Sequence, residues 1–231
     1  MKKNRKIFII GDSAFAEIAF ELFSHDSDYE VVGFSVEAGY LKQDHLFGLP
    51  VVPFETIETV FDPAEVEFYA AITYGAMNRL RTRLYQAAKA KGFRPASYVS
   101  SRAFVWRNVE MGEHCFIFEN NTVQPFCKIG DNVVLWSGNH IGHHSVIGDN
   151  CFVASQVVIS GYCNIGRNTF LGVNATVANN VNLGADNWIG MSASIGKSTG
   201  DNLIFKGSQA EQARLTALRY FKVEEGVDGV A

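Results

Sequence analysis

Histidines are concentrated in one short segment, residues 139–145, which reads Asn-His-Ile-Gly-His-His-Ser. An imidazole changes its protonation state close to neutral pH, so one held at an accessible position can act as a general acid or base. Two other interpretations are open: solvated surface histidines, and a zinc site, although adjacent side chains diverge and no carboxylate or thiolate stands beside them. Of the three, the residues favour a general base.

This segment lies inside a longer stretch, residues 99–200, that follows a six-residue period without a break. Within each six-residue unit, one position repeats as an aliphatic residue or Met, and a mostly small residue stands two positions before it. Because strand side chains alternate, the side chains of both positions point inward. The pattern predicts a short-period β solenoid. Glycine often follows the period residue, which we attribute to the chain turning a corner there. Steps of six from Ile129 reach only aliphatic residues or Met, namely Val99, Val105, Met111, Ile117, Val123, Ile129, Leu135, Ile141, Ile147, Val153, Ile159, Ile165, Leu171, Val177, Leu183, Ile189 and Ile195.

The positions reached by steps of six from Ile129 define a frame, and this frame assigns an orientation to several residues of the histidine segment. Ile141 and Ser145 point inward, so the Ser145 hydroxyl is a poor candidate for a nucleophile. His140 faces outward from a strand. His143 and His144 lie at a corner, from which side chains can reach solvent. The accessible candidates for proton transfer are therefore the two corner histidines.

The hexapeptide pattern resembles the left-handed β-helix superfamily, in which three hexapeptides form one triangular coil and residues 18 apart stack. Seventeen hexapeptides then make about six coils, roughly 27 Å of stack. When the outward residues are grouped at intervals of 18 residues, those of one face form an apolar ladder. We expect this ladder to mediate self-association into a closed ring, in preference to being covered by the C-terminal tail, because monomers seldom expose such a patch. Members of the superfamily are trimers. The ladder consists of Phe116, Val134, Phe152, Phe170 and Trp188.

The four cysteines all occupy the small inward column of the frame. Stacked partners are 36 residues apart, which places them two coils and roughly 10 Å from each other, too far for a disulfide. We therefore expect small buried hydrophobic residues and neither nucleophiles nor metal ligands. The residues are Cys115, Cys127, Cys151 and Cys163.

The first 97 residues alternate between strand and helix patterns, which predicts a small Rossmann-like parallel sheet with ligand space at the carboxyl ends of its strands. Residues 37–53 are expected to be a loop and residues 76–91 a helix. The predicted domains are 1–97, a β-helix over 98–200, and a tail over 201–231 with a short amphipathic helix at 210–221. The turn at residues 11–16 lacks the three-glycine dinucleotide motif, so structural and nucleotide-binding interpretations are both open there.

Composition excludes several classes of function. With 231 residues and a formal net charge of −4, the chain has no basic footprint for nucleic acid or for a membrane surface. The apolar run at residues 7–10 is too short for a signal peptide, and no segment has the length of a membrane span. We therefore expect a cytoplasmic protein without membrane insertion.

Three features together resemble the bacterial sugar acyltransferases typified by bacillosamine and perosamine N-acetyltransferases, with a sialic acid O-acetyltransferase-like variant. They are a strand-Gly-x-Ser opening, the hexapeptide solenoid, and the sequence Ile-Gly-His-His-Ser-Val-Ile-Gly at 141–148, followed by Ile-Gly-Arg-Asn-Thr-Phe-Leu-Gly at 165–172. The likeness covers residues from about 5 to 200. It implies that acetyl-CoA lies along the solenoid between two subunits of a homotrimer, and that the α/β domain holds a UDP- or GDP-linked amino sugar.

The resemblance also implies site residues. His143 would be the general base, with His144 beside it where family members carry a carboxylate, and no metal is expected. The acyl-CoA contacts would be Phe152, Val173, Gly190 and Met191. The nucleotide-sugar contacts would be Gly11, Ser13, Ala14, Phe15, Ser35, Val36 and Gly75.

The chain departs from the family pattern most in its α/β domain. Ala14 and Phe15 replace a Gly-His pair, and Ser35 and Val36 replace the acidic pair that holds uridine. The sequence thus predicts acyl transfer to an amino group of a nucleotide-linked sugar. Transfer to a hydroxyl and a non-catalytic scaffold are the alternatives.

Overall fold

The computed structural model describes residues 2–223. Its N-terminal unit is a six-stranded sheet in the order β3-β4-β2-β1-β5-β6, parallel except for β3, which pairs antiparallel with β4. Residues 37–53, expected to be a loop, therefore contribute two strands. The elements are β1 (Arg5–Ile10), α1 (Ala14–His25), β2 (Tyr29–Val36), a 3-10 turn (Ala38–Tyr40), β3 (His45–Leu46), β4 (Leu49–Pro53), a second 3-10 turn (Phe54–Thr59), β5 (Val66–Ala70), α2 (Arg79–Ala90) and β6 (Arg94–Pro95).

A left-handed parallel β-helix follows, as the six-residue period predicts. Each strand is two residues long and ends on a residue of the frame. Residues 18 apart pair in parallel, for example Phe152 with Phe170. In chain order β7–β23 are Tyr98–Val99, Phe104–Val105, Glu110–Met111, Phe116–Ile117, Thr122–Val123, Lys128–Ile129, Val134–Leu135, His140–Ile141, Val146–Ile147, Phe152–Val153, Val158–Ile159, Asn164–Ile165, Phe170–Leu171, Thr176–Val177, Asn182–Leu183, Trp188–Ile189 and Ser194–Ile195.

The β-helix has three faces. Face A contains β7, β10, β13, β16, β19 and β22, and is extended by β24 (Ile204–Phe205). Face B starts at β8 and face C at β9, each continuing with every third strand. Aliphatic and cysteine side chains fill the interior. All four cysteines are free and buried, as predicted, and the Ser145 hydroxyl is enclosed between the Ser160 carbonyl and the Cys163 amide.

The corners differ from the sequence prediction in their use of glycine. The left-handed backbone conformation falls three residues after the frame position, and its commonest residue is asparagine, such as Asn132 and Asn150, with φ of 56° and 62°. Asparagine tolerates this conformation better than most residues. Glycines directly after the frame position serve close stacking instead. A Cβ on Gly142, for example, would lie 2.5 Å from the Gly161 nitrogen of the next coil.

The apolar ladder of face A is lined up as predicted, but its cover is the chain's own N-terminal unit. Phe116 and Val134 are fully buried, and Phe152 and Phe170 are nearly so. Side chains from α1, β5 and the β5–α2 loop pack on them: Phe15 at 5.5 Å from Phe116 and Tyr74 at 4.5 Å from Phe170, between ring centroids. The prediction that this ladder joins two copies is therefore wrong, because the surface is already occupied within one chain.

A buried polar network fixes the N-terminal unit on the β-helix. Arg81 of α2 is fully buried and donates to the carbonyl oxygens of Asn132 and Asn150 on the corner between faces C and A. On the same corner, His114 Nε2 accepts from the Ala70 amide at 2.8 Å, which makes Nδ1 the donor to Asn132 Oδ1. Burial lowers the pKa of His114 to about 3, so this imidazole is neutral.

The predicted C-terminal helix at 210–221 is mostly absent. Only α3, Ala217–Tyr220, is helical, and the apolar side chains of this segment, Leu215, Leu218 and Phe221, are exposed. An amphipathic segment of this length needs a packing partner to form a stable helix, and here it has none within the described residues. Residues 224–231 of the predicted tail lie outside the described part of the chain. In residues 2–223 no helix is long and apolar enough to cross a bilayer.

Candidate active site and ligand clefts

The corner between faces B and C carries the two candidate catalytic histidines. Both side chains are exposed, as the frame predicts. Nδ1 of His143 lies 3.1 Å from Nδ1 of His144, a hydrogen-bonding distance, and the His143 amide donates to Gln124 Oε1 at 2.9 Å. His143 Nε2 has no hydrogen-bond partner among the described residues. The corner therefore engages Nδ1 of the His143 ring and leaves Nε2 without a partner in the described part of the chain.

Gly161 of the next coil makes room for the His143 ring. A Cβ at Gly161 would lie 2.9 Å from Cε1 and 3.0 Å from Nε2 of the imidazole, closer than real Cβ contacts. The ring thus lies directly over the glycine. Sequence analysis did not identify Gly161, although its position, 18 residues after His143, is the signal that could have revealed it.

His144 is held between two aromatic rings of the same corner. Its imidazole stacks on Phe126 at 4.6 Å and on Tyr162 at 4.7 Å between centroids, with interplanar angles of 25° and 17°. The three residues are 18 apart and so occupy equivalent places in successive coils. Sequence analysis missed Phe126 and Tyr162, because they fall outside the strand columns.

A second candidate site lies at the carboxyl ends of β1 and β2. Here Gly11, Ser13 and Val36, three of the predicted substrate contacts, line a cleft of about 200 Å³. Apolar side chains of β1 and α2 and Ile72 contribute much of the lining, and a small set of polar groups stands with them. This is the crevice where open α/β sheets bind ligands.

The charged residues that line this cleft are Asp12, Glu37 and Arg83, and none of them was identified as a site residue from the sequence. Arg83 donates from both terminal nitrogens to the Glu37 carboxylate at 2.8 Å each, and these bonds lower the pKa of Glu37. The exposed ring of Tyr40 stands in the same lining. Glu37 comes directly after the predicted pair Ser35 and Val36, so the carboxylate expected in that pair occurs one position later.

Four predicted substrate contacts do not line this cleft. Phe15 is buried in the interface with face A, and Ser35 is fully buried with no hydrogen-bond partner for its hydroxyl among the described residues. Ala14 and Gly75 are exposed. Gly75 precedes three consecutive left-handed residues, 76–78, that lead into α2.

The predicted acyl-CoA contacts divide into two groups. Val173 and Met191 are exposed and stack on the corner between faces A and B, and Gly190 and Met191 line a groove of about 570 Å³ with residues 204–209. Phe152 lies apart from them. It is 3 % exposed, under Tyr74 and beside Trp136, so its ring has no free surface for a ligand.

No pocket of a single chain joins Ser13 and Ser35 to His143 in the described structure. The N-terminal unit covers face A and the corner between faces C and A. His143 stands on the corner between faces B and C, which lies opposite face A in a triangular coil. Consequently the cleft and the imidazole of one chain point to different sides of the molecule.

Comparisons with known proteins agree with the repeat and with the fold. Residues 108–143 and 127–161 match the model of the bacterial transferase hexapeptide, six repeats. The middle of the solenoid thus carries the transferase hexapeptide. No curated protein matches the chain by sequence. In the described part of the chain, no group of three or more His, Cys, Asp or Glu side chains is placed to hold a metal ion.

Solved structures resemble nearly the whole chain. One is a His-to-Asn mutant of perosamine N-acetyltransferase from Caulobacter crescentus in complex with CoA and GDP-perosamine, with 22 % identity, 87 % of this chain, 93 % of that chain and a TM-score of 0.78. Another is the acetyltransferase domain of PglB from Neisseria gonorrhoeae FA1090 in complex with acetyl coenzyme A. It is 20 % identical, the match covers 88 % of this chain and 97 % of that chain, and the TM-score is 0.79. WeeI from Acinetobacter baumannii AYE is 18 % identical, the match covers 88 % of this chain and 97 % of that chain, and the TM-score is 0.56. At these identities the likeness establishes a shared fold, which confirms the fold expected from the sequence.

Proposed function

We propose that this protein is an acyl-CoA-dependent acyltransferase, with acetyl-CoA as donor and an amino group of a nucleotide-linked sugar as acceptor. The observation that carries the proposal is the His143 imidazole, held through Nδ1 and open at Nε2, on an exposed corner of a hexapeptide β-helix. The structural relatives in complexes with CoA and with GDP-perosamine support the choice of donor and acceptor class.

The chemistry requires one proton acceptor. His143 Nε2 takes a proton from the acceptor amine as its nitrogen attacks the thioester carbonyl carbon. The C–N bond forms, the carbonyl electrons move onto oxygen, and backbone N–H groups near the corner stabilise that oxyanion. When the carbonyl re-forms, the C–S bond breaks and the CoA thiolate receives the proton from the imidazolium. No acyl-enzyme is required, since the Ser145 hydroxyl and the cysteine thiols are buried.

For the acceptor we assign the cleft at Gly11, Ser13 and Val36, with Glu37 and Arg83 facing the nucleobase. A guanidinium beside a carboxylate offers a donor next to two acceptors. Guanine is complementary to that arrangement because it presents the acceptor O6 beside the donors N1–H and N2–H. Uracil presents one donor between two acceptors and matches less well. A GDP-linked sugar is therefore favoured.

For the donor we assign the corner between faces A and B, with Val173, Gly190 and Met191 as contacts. The groove beside Met191 is open and large enough for part of a CoA molecule. We omit Phe152 from this set, since its ring is buried against the N-terminal unit.

The separation of the cleft from His143 supports self-association, and we propose a homotrimer. Because cleft and imidazole of one chain face different sides, a complete site needs His143 of one copy beside the cleft of its neighbour. Exposed apolar side chains at the histidine corner, Phe126 and Tyr162, provide surface for that contact. Four free cysteines fit the reducing cytoplasm as the compartment.

The test is CoA thiol release from acetyl-CoA with GDP-linked amino sugars. His143→Ala should lower kcat by about 10²–10⁴-fold and leave CoA binding, measured by calorimetry, unchanged. His25→Ala, an exposed histidine on α1, is the matched control and should retain full activity. Turnover only with a hydroxyl acceptor would indicate O-acylation. An absence of turnover and of CoA binding in the intact protein would indicate a scaffold.

A further inference from the structure

The histidine corner places large aromatic residues at a backbone position that other corners mostly fill with smaller polar residues. At the left-handed position of each turn, asparagine is the commonest residue, as in Asn132, Asn150 and Asn168. On the corner between faces B and C the same position holds Phe126, His144 and Tyr162, with φ of 66°, 59° and 59°. Bulky side chains adopt this conformation at a cost of about 1–3 kcal/mol each. Phe126 lies one coil before His144 and Tyr162 one coil after it, and both are bulky residues in this strained conformation. We expect a function that compensates for the strain.

The hydrogen bond between the two imidazoles fixes what that function can be. For His143 to accept a proton at Nε2, its Nδ1 must carry a hydrogen, and this hydrogen must have an acceptor. Among residues 2–223, the ring nitrogen at hydrogen-bonding distance is Nδ1 of His144, at 3.1 Å. His144 must then be neutral, with its own hydrogen on Nε2. The required tautomer of one ring determines that of the other.

We propose that His144 is a positioning residue that holds His143 in its basic tautomer, and that Phe126 and Tyr162 clamp the His144 ring for this purpose. The proposal rests on the general-base function proposed above for His143. Stacking on both sides prevents rotation of the His144 ring and keeps its Nδ1 directed at His143.

The neutral partner makes the pair sensitive to pH. If His144 is protonated, its Nδ1–H must donate, and His143 is forced into the tautomer that has no basic Nε2. Around the pair stand Gln124, Phe126, Gly161 and Tyr162, of which only Tyr162 is titratable. Within the described residues, neither ring makes a salt bridge, and Arg107 stands on the same corner two coils away, roughly 10 Å. Activity should therefore be lost when either ring gains a proton.

Two variants of His144 test the assignment without disturbing the fold. Asparagine occupies the equivalent place in the next coil but one, as Asn180, so His144→Asn suits the backbone. We expect it to lower kcat about tenfold or more with little change in KM. His144→Asp supplies a charge that favours the imidazolium of His143, and it should move the acid limb of the kcat/KM profile upward by about one pH unit. Unchanged kcat and an unchanged profile in both variants would overturn the proposal.

The clamp has its own test. Phe126→Asn and Tyr162→Asn relieve backbone strain, so in variants shown by light scattering to keep the oligomeric state of the wild type, each should raise Tm or leave it unchanged while lowering kcat several-fold. Full activity in both variants would contradict a clamp, and so would a loss of activity explained entirely by unfolding.

A spectroscopic measurement separates this proposal from the proposed function. Imidazole ¹⁵N shifts at neutral pH should place the hydrogen of His143 on Nδ1 and that of His144 on Nε2, and His144→Asn should leave His143 a mixture of tautomers. This result stands even if no acyl transfer is found. If the hydrogen of His143 lies on Nε2 in the wild-type protein, the proposal is overturned even if the enzyme is active.

Discussion

Nε of Arg81 donates to Oδ1 of Asn132 at 3.0 Å, and this bond connects helix α2 of the N-terminal unit to the β-helix. The same guanidinium also reaches the carbonyl oxygens of Asn150 and Cys151 in the next coil. A fully buried cation whose donors are shared among backbone carbonyls cannot move without leaving several of them unpaired. The relation between the cleft and the β-helix is fixed by this contact.

Replacing Arg81 with methionine should lower the free energy of unfolding by at least about 3 kcal/mol, because it leaves several buried acceptors without donors. Urea unfolding followed by fluorescence measures the change. Arg102→Ala, on the exposed surface, serves as the control and should change the free energy of unfolding by less than about 0.5 kcal/mol. Equal effects of the two substitutions would exclude an anchoring function for Arg81.

Buried His114 should make stability depend on pH. Burial lowers its pKa to about 3 from 6.5, so the unfolded chain binds a proton that the folded chain does not. Its contribution to stability is complete above about pH 6.5 and should be lost as pH falls toward 3, by about 1.4 kcal/mol per pH unit. The free energy of unfolding of the wild type minus that of His114→Asn should follow this slope. A difference that is flat between pH 6.5 and 4 would mean that the imidazole is protonated in the folded state.

Gly161→Ala should disable the site without altering any polar group. The added methyl meets the His143 ring, which is a movable side chain, so the fold should lose less than about 1 kcal/mol while kcat falls about 10²-fold through misplacement of the base. Gly196→Ala, where a Cβ meets nothing within 4 Å, is the matched control. Thiol release and thermal unfolding are measured on both variants. Full activity of Gly161→Ala would contradict the placement of the base.

The cleft should bind GDP more tightly than UDP. Glu37→Gln removes one acceptor for guanine and should weaken GDP binding about tenfold or more, with a smaller effect on UDP, as measured by calorimetry. Glu30→Gln, exposed on β2, is the control. Equal affinity for the two nucleotides, or a loss that is the same for both, would remove the assignment of Glu37 and Arg83 to the base.

Periodicity predicted the β-helix to the residue, since every frame position from Val99 to Ile195 ends a strand. It also placed Phe116 and Phe170 in one ladder, but a period gives no information about what covers a surface. That cover depends on how a separate unit docks, which Arg81 and His114 determine through contacts distant in sequence. The sequence predicted that His143 and His144 lie at an exposed corner. The 18-residue spacing gives the positions of Phe126, Gly161 and Tyr162 next to the histidines, but their contacts required three-dimensional coordinates, because corner residues carry no hydrophobic signal.

The most direct test of the account is a mixture of two inactive variants. His143→Ala lacks the base, and Glu37→Arg places a second cation beside Arg83 in the cleft. If a site combines His143 of one copy with the cleft of another, co-refolding equal amounts should restore thiol release to about a quarter of the wild-type rate, because about a quarter of the sites receive two intact parts. Activity that stays at the level of the separate variants, in mixtures shown by mass spectrometry to have exchanged subunits, would contradict the account.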